Sequence, residues 1–182
     1  MTYRNFEEWV LAAEVDNLTL AEVVLQSEIE LTEKSEKQIK EKLMHRWQVM
    51  QKSAHKALAQ PQQMVGGLIS GQAKKQSEYA VGASLCGNMA NRAMAMAFSC
   101  SEVNASMVRV CAAPTAGACG VLPAVLTTVA QEKASTEAEI KDALLVAAGV
   151  GVGLLPKTPR FRVRQRAARQ SVGQPRQWPP PL

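Results

Sequence analysis

The chain has 182 residues, enough for one domain with an appended helical arm. Its net charge of +5 averages two unlike parts: residues 1–153 hold 14 Lys/Arg and 16 Asp/Glu, a net of −2, while residues 154–182 hold seven basic residues and no acid. The apolar run 143–155 is too short and too rich in glycine to cross a bilayer, which takes about 20 residues, and no leader precedes Thr2, so a soluble cytoplasmic protein is expected.

Helix signals dominate along the chain, and strand alternation is nearly absent. Asn5 with Glu8, Thr19 with Glu22 and Thr136 with Glu139 have the spacing of capping boxes, in which a hydroxyl or amide and an acid three residues on satisfy each other's backbone N–H groups. A long helix is expected over about 35–58, where Ile39, Leu43, Trp47, Met50 and Ala54 recur every three or four residues as one apolar stripe. The pairs Glu33–Lys37 and Glu36–Lys40 support its opposite, solvated face. Gln60-Pro61 closes this arm, and Gly66, Gly67 and Gly71 punctuate the next segment.

Residues 88–98 are rich in Ala and Met with hardly any charge, which places them in the core as a closely packed helix. A loop at 114–120 then leads into a helix that accepts Pro123 in its first turn, and a last helix ends near Gly149. After Gly153 the pattern dissolves: six of the nine prolines and six arginines fall there with no periodicity, a composition that reads as disordered. The fold expected is all-α, with a helical arm at 1–60, a helical domain at 61–153 and a basic tail at 154–182.

The chemistry concentrates between Ser101 and Gly120, where small, polar and turn-forming residues replace the usual Leu, Ile and Val. A Gly/Ala-rich loop before a helix presents backbone N–H groups at the positive end of the helix dipole, where carboxylates and phosphates bind. Thr115 adds a hydroxyl, Asn104 a donor and an acceptor, and Arg109 a fork for a carboxylate. The same loop is equally well read as a tight helix–helix connection. Cys86, Cys100, Cys111 and Cys119 lie 14, 11 and 8 residues apart without CxxC or Cys/His metal spacing, so they read as reduced, mostly buried small thiols. His45 and His55 read as solvated helix positions, and Met89, Met94 and Met96 as core filler.

The segment EVNASMVRVCAAPTAGACGVLPAVL resembles the central motif of the alpha chain of iron–sulfur-dependent L-serine dehydratase, and MVGGLISGQAKK resembles that family's earlier Gly-rich segment. The resemblance covers roughly residues 1–153. It implies an L-serine ammonia-lyase that forms pyruvate and ammonia, with a beta chain as partner. A [4Fe–4S] cluster held by three cysteines would leave one iron open as a Lewis acid on the serine hydroxyl. Carried over residue by residue, it puts Asn104, Pro114, Thr115, Ala116 and Gly117 in the L-serine pocket, and it identifies no base. Val108 stands where the family pattern has Gly, which implies a positive φ or a close backbone approach.

The larger departure is the cluster. The family's cysteine ligands lie beyond this point, in an AKNASISGAEGGCQAE-like segment and further stretches, where this chain reads LLPKTPRFRVRQRAARQ. No metal ligand is therefore expected here. A shifted frame accounts for the difference. Residues 156–164, written CCA AAA ACG CCT CGA TTT CGG GTG CGC, read from the third base as Lys-Asn-Ala-Ser-Ile-Ser-Gly-Ala. Residues 175–182 give Ser-Ala-Met-Ala-Ala-Ala-Ala in the same offset. Residues from about 154 are accordingly expected to be out of frame and to end at a premature stop. The chain would then be inactive, and apolar surface that further helices should cover would be bare. The competing classes are a nucleic-acid-binding protein using the basic tail, which carries Phe161 and Trp178 but no recognition motif, and a non-catalytic scaffold.

Overall fold

A computed structural model describes residues 6–63, 69–80, 85–113 and 116–153, without the side chains of residues 116, 152 and 153. Every regular element among them is helical: α1 (Phe6–Val15), α2 (Leu20–Thr32), α3 (Glu36–Ala59), α4 (Gln72–Tyr79), α5 (Gly87–Ala105), a one-turn 3-10 helix at Ala116–Ala118, α6 (Val121–Lys133) and α7 (Glu137–Gly153). The all-α expectation holds. No helix among the described residues is long and apolar enough to cross a membrane.

Local chemistry sets several helix starts. At α2 the Thr19 N–H donates to Glu22 Oε2 at 2.7 Å, and the Glu22 N–H donates back to Thr19 Oγ1 at 3.3 Å. Thr136 and Glu139 repeat this at α7, at 2.7 and 3.3 Å. A further box, Ser35 with Gln38, opens α3; Gln serves as well as Glu because only its carbonyl oxygen is used. The Asn5 box lies outside the described residues. Glu33 departs from expectation: it is the left-handed residue ending α2, at φ 55°, so it does not share a helix with Lys37. Glu36 does pair with Lys40.

The cap carboxylates carry a pH dependence. Backbone N–H groups first, and the cap hydroxyls second, hold Glu22 and Glu139 below the usual 4.5. A group whose pKa is lower folded than unfolded stabilises the fold above its unfolded value and stops doing so as pH falls through its folded value. The melting temperature should therefore fall on acidification below about pH 4.5. The double variant Glu22→Gln, Glu139→Gln should flatten that slope in a thermal scan across pH 2–6; an unchanged slope would remove the caps from the account.

Helix α3 is the spine. At 24 residues it spans about 36 Å, and its apolar stripe meets all four core clusters. Ile39 joins Trp9, Val23, Val24, Leu25 and Leu145 of α1, α2 and α7. Trp47 and Met50 join Leu144 of α7, with Leu122 and Leu126 of α6 against them. Ala54 meets Met96 and Cys100 of α5 and Ala124 of α6, and Ala57 meets Ala73 of α4 and Val103 of α5. The expected stripe is thus the core of the molecule, Leu43 being half-buried and the other four buried.

Where α3 crosses α5, Ala54, Ala57 and Ser99 are fully buried, so the two backbones approach closely. The Ser99 hydroxyl donates to the Ser53 carbonyl at 2.7 Å and accepts the Ala57 N–H at 2.9 Å, bridging one turn of α3. Ser53 Oγ lies 3.4 Å from Cys100 Sγ and donates to the Met50 carbonyl. These buried polar groups are satisfied across the interface, as they must be to avoid a desolvation penalty. The last helix runs four residues past the expected end at Gly149, and a Cβ on Gly149 would come within 2.6 Å of Val24 Cγ2.

Candidate functional site

Helices α5 and α6 form an antiparallel hairpin. Gly120, at the start of α6, lies against the Ala97 backbone, while Arg92, a turn and a half earlier on α5, donates to Gln131 Oε1 near the end of α6. Asn104 sits in the last turn of α5, and Gly117 in the 3-10 turn just before α6, so both lie at the same end of this hairpin. Asn104 is half-buried and Gly117 exposed. Ala116 belongs to the same 3-10 turn; Pro114 and Thr115 lie outside the described residues.

The turn after Asn104 closes as a Schellman motif. The Met107 N–H donates to the Asn104 carbonyl and the Val108 N–H to the Val103 carbonyl, each at 3.1 Å. The positive φ expected at Val108 falls instead one residue earlier, on Met107 at 58°. Val108 occupies the position after it, which favours an apolar residue, and packs into the cluster that contains Val103. That is why valine is tolerated where the family pattern has glycine.

Arg109 is turned toward α3. Its Nη2 lies 3.4 Å from His45 Nε2 on α3, and both residues are exposed. His45 is therefore on a solvated helix face as expected, and Arg109 has a neighbour other than a bound carboxylate.

Glu102 is the site residue that sequence reasoning passed over. It is fully buried, and its Oε1 accepts the Ala73 N–H at 2.9 Å, capping α4 from across the interface. Its Oε2 has no hydrogen-bond partner. Three turns earlier on α5, Asn91, also buried, accepts from Gln76 Nε2 at 2.7 Å and donates to the Gly87 carbonyl at 2.8 Å. The signal was available: Glu102 falls at the helical spacing of Ala95 and Ser99, so it shares their buried face. Within EVNAS this acid therefore anchors α4 to the helix that carries Asn104.

The thiols are dispersed. Cys100 and Cys119 share the α3–α5–α6 core, Cys111 packs at the α3–α6–α7 core, and Cys86 is exposed. Burial pushes the Cys119 thiol up to about 11, with Cys100 adding to it. Burial also raises Cys100 against the Ser53 hydrogen bond, and Cys111 against Arg46 and Arg109. No three His, Cys, Asp or Glu residues are grouped to hold a metal among the described residues. These cysteines do not fit a three-thiolate iron–sulfur site.

A cavity of about 370 Å³ opens between α1, α2, α3 and α7, over Trp9, Val24, Ile39, Leu43 and Leu145. It includes none of the motif residues, so it is separate from the Asn104–Gly117 end of the α5–α6 hairpin.

Comparisons with known proteins converge. The alpha chain of L-serine dehydratase from Peptoniphilus asaccharolyticus is 39% identical over 135 residues, covering 74% of this chain and 46% of that protein. A protein described as the probable alpha chain of L-serine dehydratase from Bacillus subtilis strain 168 is 31% identical over 150 residues, covering 82% of this chain and 50% of its own length. The chain spans about half the length of the curated relatives it matches. No solved structure matches it significantly. With residues 15–158 matching the family model for the serine dehydratase alpha chain, this chain belongs to that family.

Proposed function

We propose that this chain carries the front half of the alpha subunit of a cytoplasmic L-serine ammonia-lyase, the enzyme that converts L-serine to pyruvate and ammonia with a beta chain as partner. The observation that carries the reading is the 39% identity to an L-serine dehydratase alpha chain across the region that includes EVNAS and the loop before α6. In this reading Asn104, Pro114, Thr115, Ala116 and Gly117 line the serine pocket. Two features support it: Asn104 and Gly117 share one end of the α5–α6 hairpin, and α6 begins at Gly120 with no side-chain cap on its first-turn N–H groups. A serine carboxylate suits such an uncapped helix start. The family's [4Fe–4S] cluster would be held by the cysteine-bearing segments of a frame-corrected chain, since residues 154–182 as they stand hold no cysteine and the four cysteines before them do not fit it.

We further propose that residues from about 154 onward are an out-of-frame reading. The family match stops at residue 158, whereas the chain runs on to Leu182. The offset that yields the KNASISGA segment also spells the cysteine-bearing one: residues 166–171, written CGG GCT GCC AGG CAG AGC, read from the third base as Gly-Cys-Gln-Ala-Glu. Three family segments in one frame and in the right order support a single-frame shift near codon 156.

The test pairs sequence with activity. Resequencing the coding DNA around codons 150–182 should return codons that permit all three segments in that offset. The frame-corrected gene, expressed anaerobically with a beta chain and iron and sulfide, should form pyruvate from L-serine. The 182-residue chain treated identically should form none above background. Pyruvate from the 182-residue chain, or a coding sequence that excludes the shifted segments, would refute the proposal about the tail. A frame-corrected protein inactive on L-serine would refute the assigned reaction.

A further inference from the structure

Helices α5 and α6 each bury one side and leave an apolar stripe on another. On α5, Ala90, Met94, Phe98 and Ser101 are all exposed, Phe98 at 42%. On α6, Val121, Val125 and Val129 are exposed at 62, 49 and 39%. Spacings of four residues drift only about 40° around a helix per step, so each set forms one continuous stripe.

The two stripes share a side. On α5 the residues facing α6 include Ala97 and Cys100; on α6 those facing α5 include Gly120 and Ala124. Each stripe lies roughly 100° further round its helix from that contact line, in the same rotational sense. In an antiparallel pair, equal rotations bring both stripes onto one face. The other sides are occupied: α3 and α4 cover α5, while α3 and α7 cover α6. Among the described residues, charge appears only at the end of this face, where Glu132 lies 3.9 Å from Arg92.

Buried residues on one side of a helix pair and a charge-free row of valines, Met and Phe on the other describe an inner layer, not an outer one. The relatives are about twice as long as the segment matched here. We infer that the Met94–Phe98 and Val121–Val125–Val129 face is the seat of the remaining half of a serine dehydratase alpha chain, docked through helices of small and apolar residues. The Ser-Ala-Met-Ala-Ala-Ala-Ala segment that the proposed frame shift gives for 175–182 would be of that kind, since small side chains let a helix settle between two others. The inference rests on family membership and not on the proposed reaction, and its test involves no turnover.

The experiment co-expresses the 182-residue chain with the remaining half of the Peptoniphilus asaccharolyticus alpha chain and compares it with the chain alone by hydroxyl-radical footprinting. The two polypeptides should copurify, with oxidation of Met94 and Phe98 falling at least fivefold and that of Leu11, exposed on α1, unchanged. Val125→Asp, at an exposed position, should abolish copurification while leaving the helical circular dichroism of the chain intact. Failure to copurify would overturn the inference, as would copurification that leaves Met94 and Phe98 as reactive as before. Protection of both residues in the chain alone, together with a dimer in sedimentation, would assign the face to a second copy and also overturn it.

Discussion

Glu102→Ala should destabilise the chain by about 3 kcal/mol, the range for truncating a large buried side chain while stranding its hydrogen-bond partner. Glu102 is fully buried, and the substitution removes the acceptor of the Ala73 N–H at 2.9 Å, itself a fully buried residue. The loss should be local in origin: with its first turn uncapped, α4 comes away from α5, and the Ala73 amide should lose hydrogen-exchange protection before those of α3. Glu102→Gln keeps a carbonyl oxygen in place and should cost only about 1 kcal/mol. Urea denaturation of the three proteins checks the order. Equal losses for Ala and Gln would mean that the charge, and not the acceptor for Ala73, is what matters.

Gly120→Ala should cost about 2 kcal/mol through overpacking. A Cβ at Gly120 would lie 2.6 Å from the Ala97 carbonyl oxygen and 3.2 Å from its Cα and carbonyl carbon, and backbone cannot rotate away as a side chain can. The backbone at Gly120, with φ −86° and ψ −24°, suits any residue, so the cost comes from contact and not conformation. Separating α5 from α6 to make room would also shift the 3-10 turn that holds Gly117. Ala97→Gly should therefore fail to rescue Gly120→Ala, because the atom in the way is a carbonyl oxygen that glycine also carries. Rescue by that second substitution would contradict the packing described.

Both positions bear on how much was legible beforehand. The capping boxes at Thr19 and Thr136 were readable because each is complete within four residues, and the α3 stripe because helical period is a property of the local sequence. EVNAS and APTAG announced a site by composition and a family by resemblance. Glu102 was readable only in part: its spacing put it on the buried face, but its acceptor role depends on α4, 29 residues upstream. The valine at 108, where the family pattern has glycine, implies a strained backbone by sequence alone, but the Schellman turn moves the positive φ to Met107. Composition places the Ala/Met-rich segment wholly in the core, yet Met89 is exposed in the first turn of α5, and Met94 and Phe98 are exposed on a side that no other described residue covers.

The sequence by itself determined most of the helices, the starts of α2 and α7, the family and the break in character near residue 154, since each depends on neighbours along the chain or on a contiguous motif. Only the tertiary structure decided which residues those helices bring together. It separated the cysteines into different cores, turned Arg109 toward His45, pressed Gly120 onto Ala97 and aligned two apolar stripes on one face. The physical reason is that close packing is decided by the distance and rotation between helices, and neither is encoded within any single helical period.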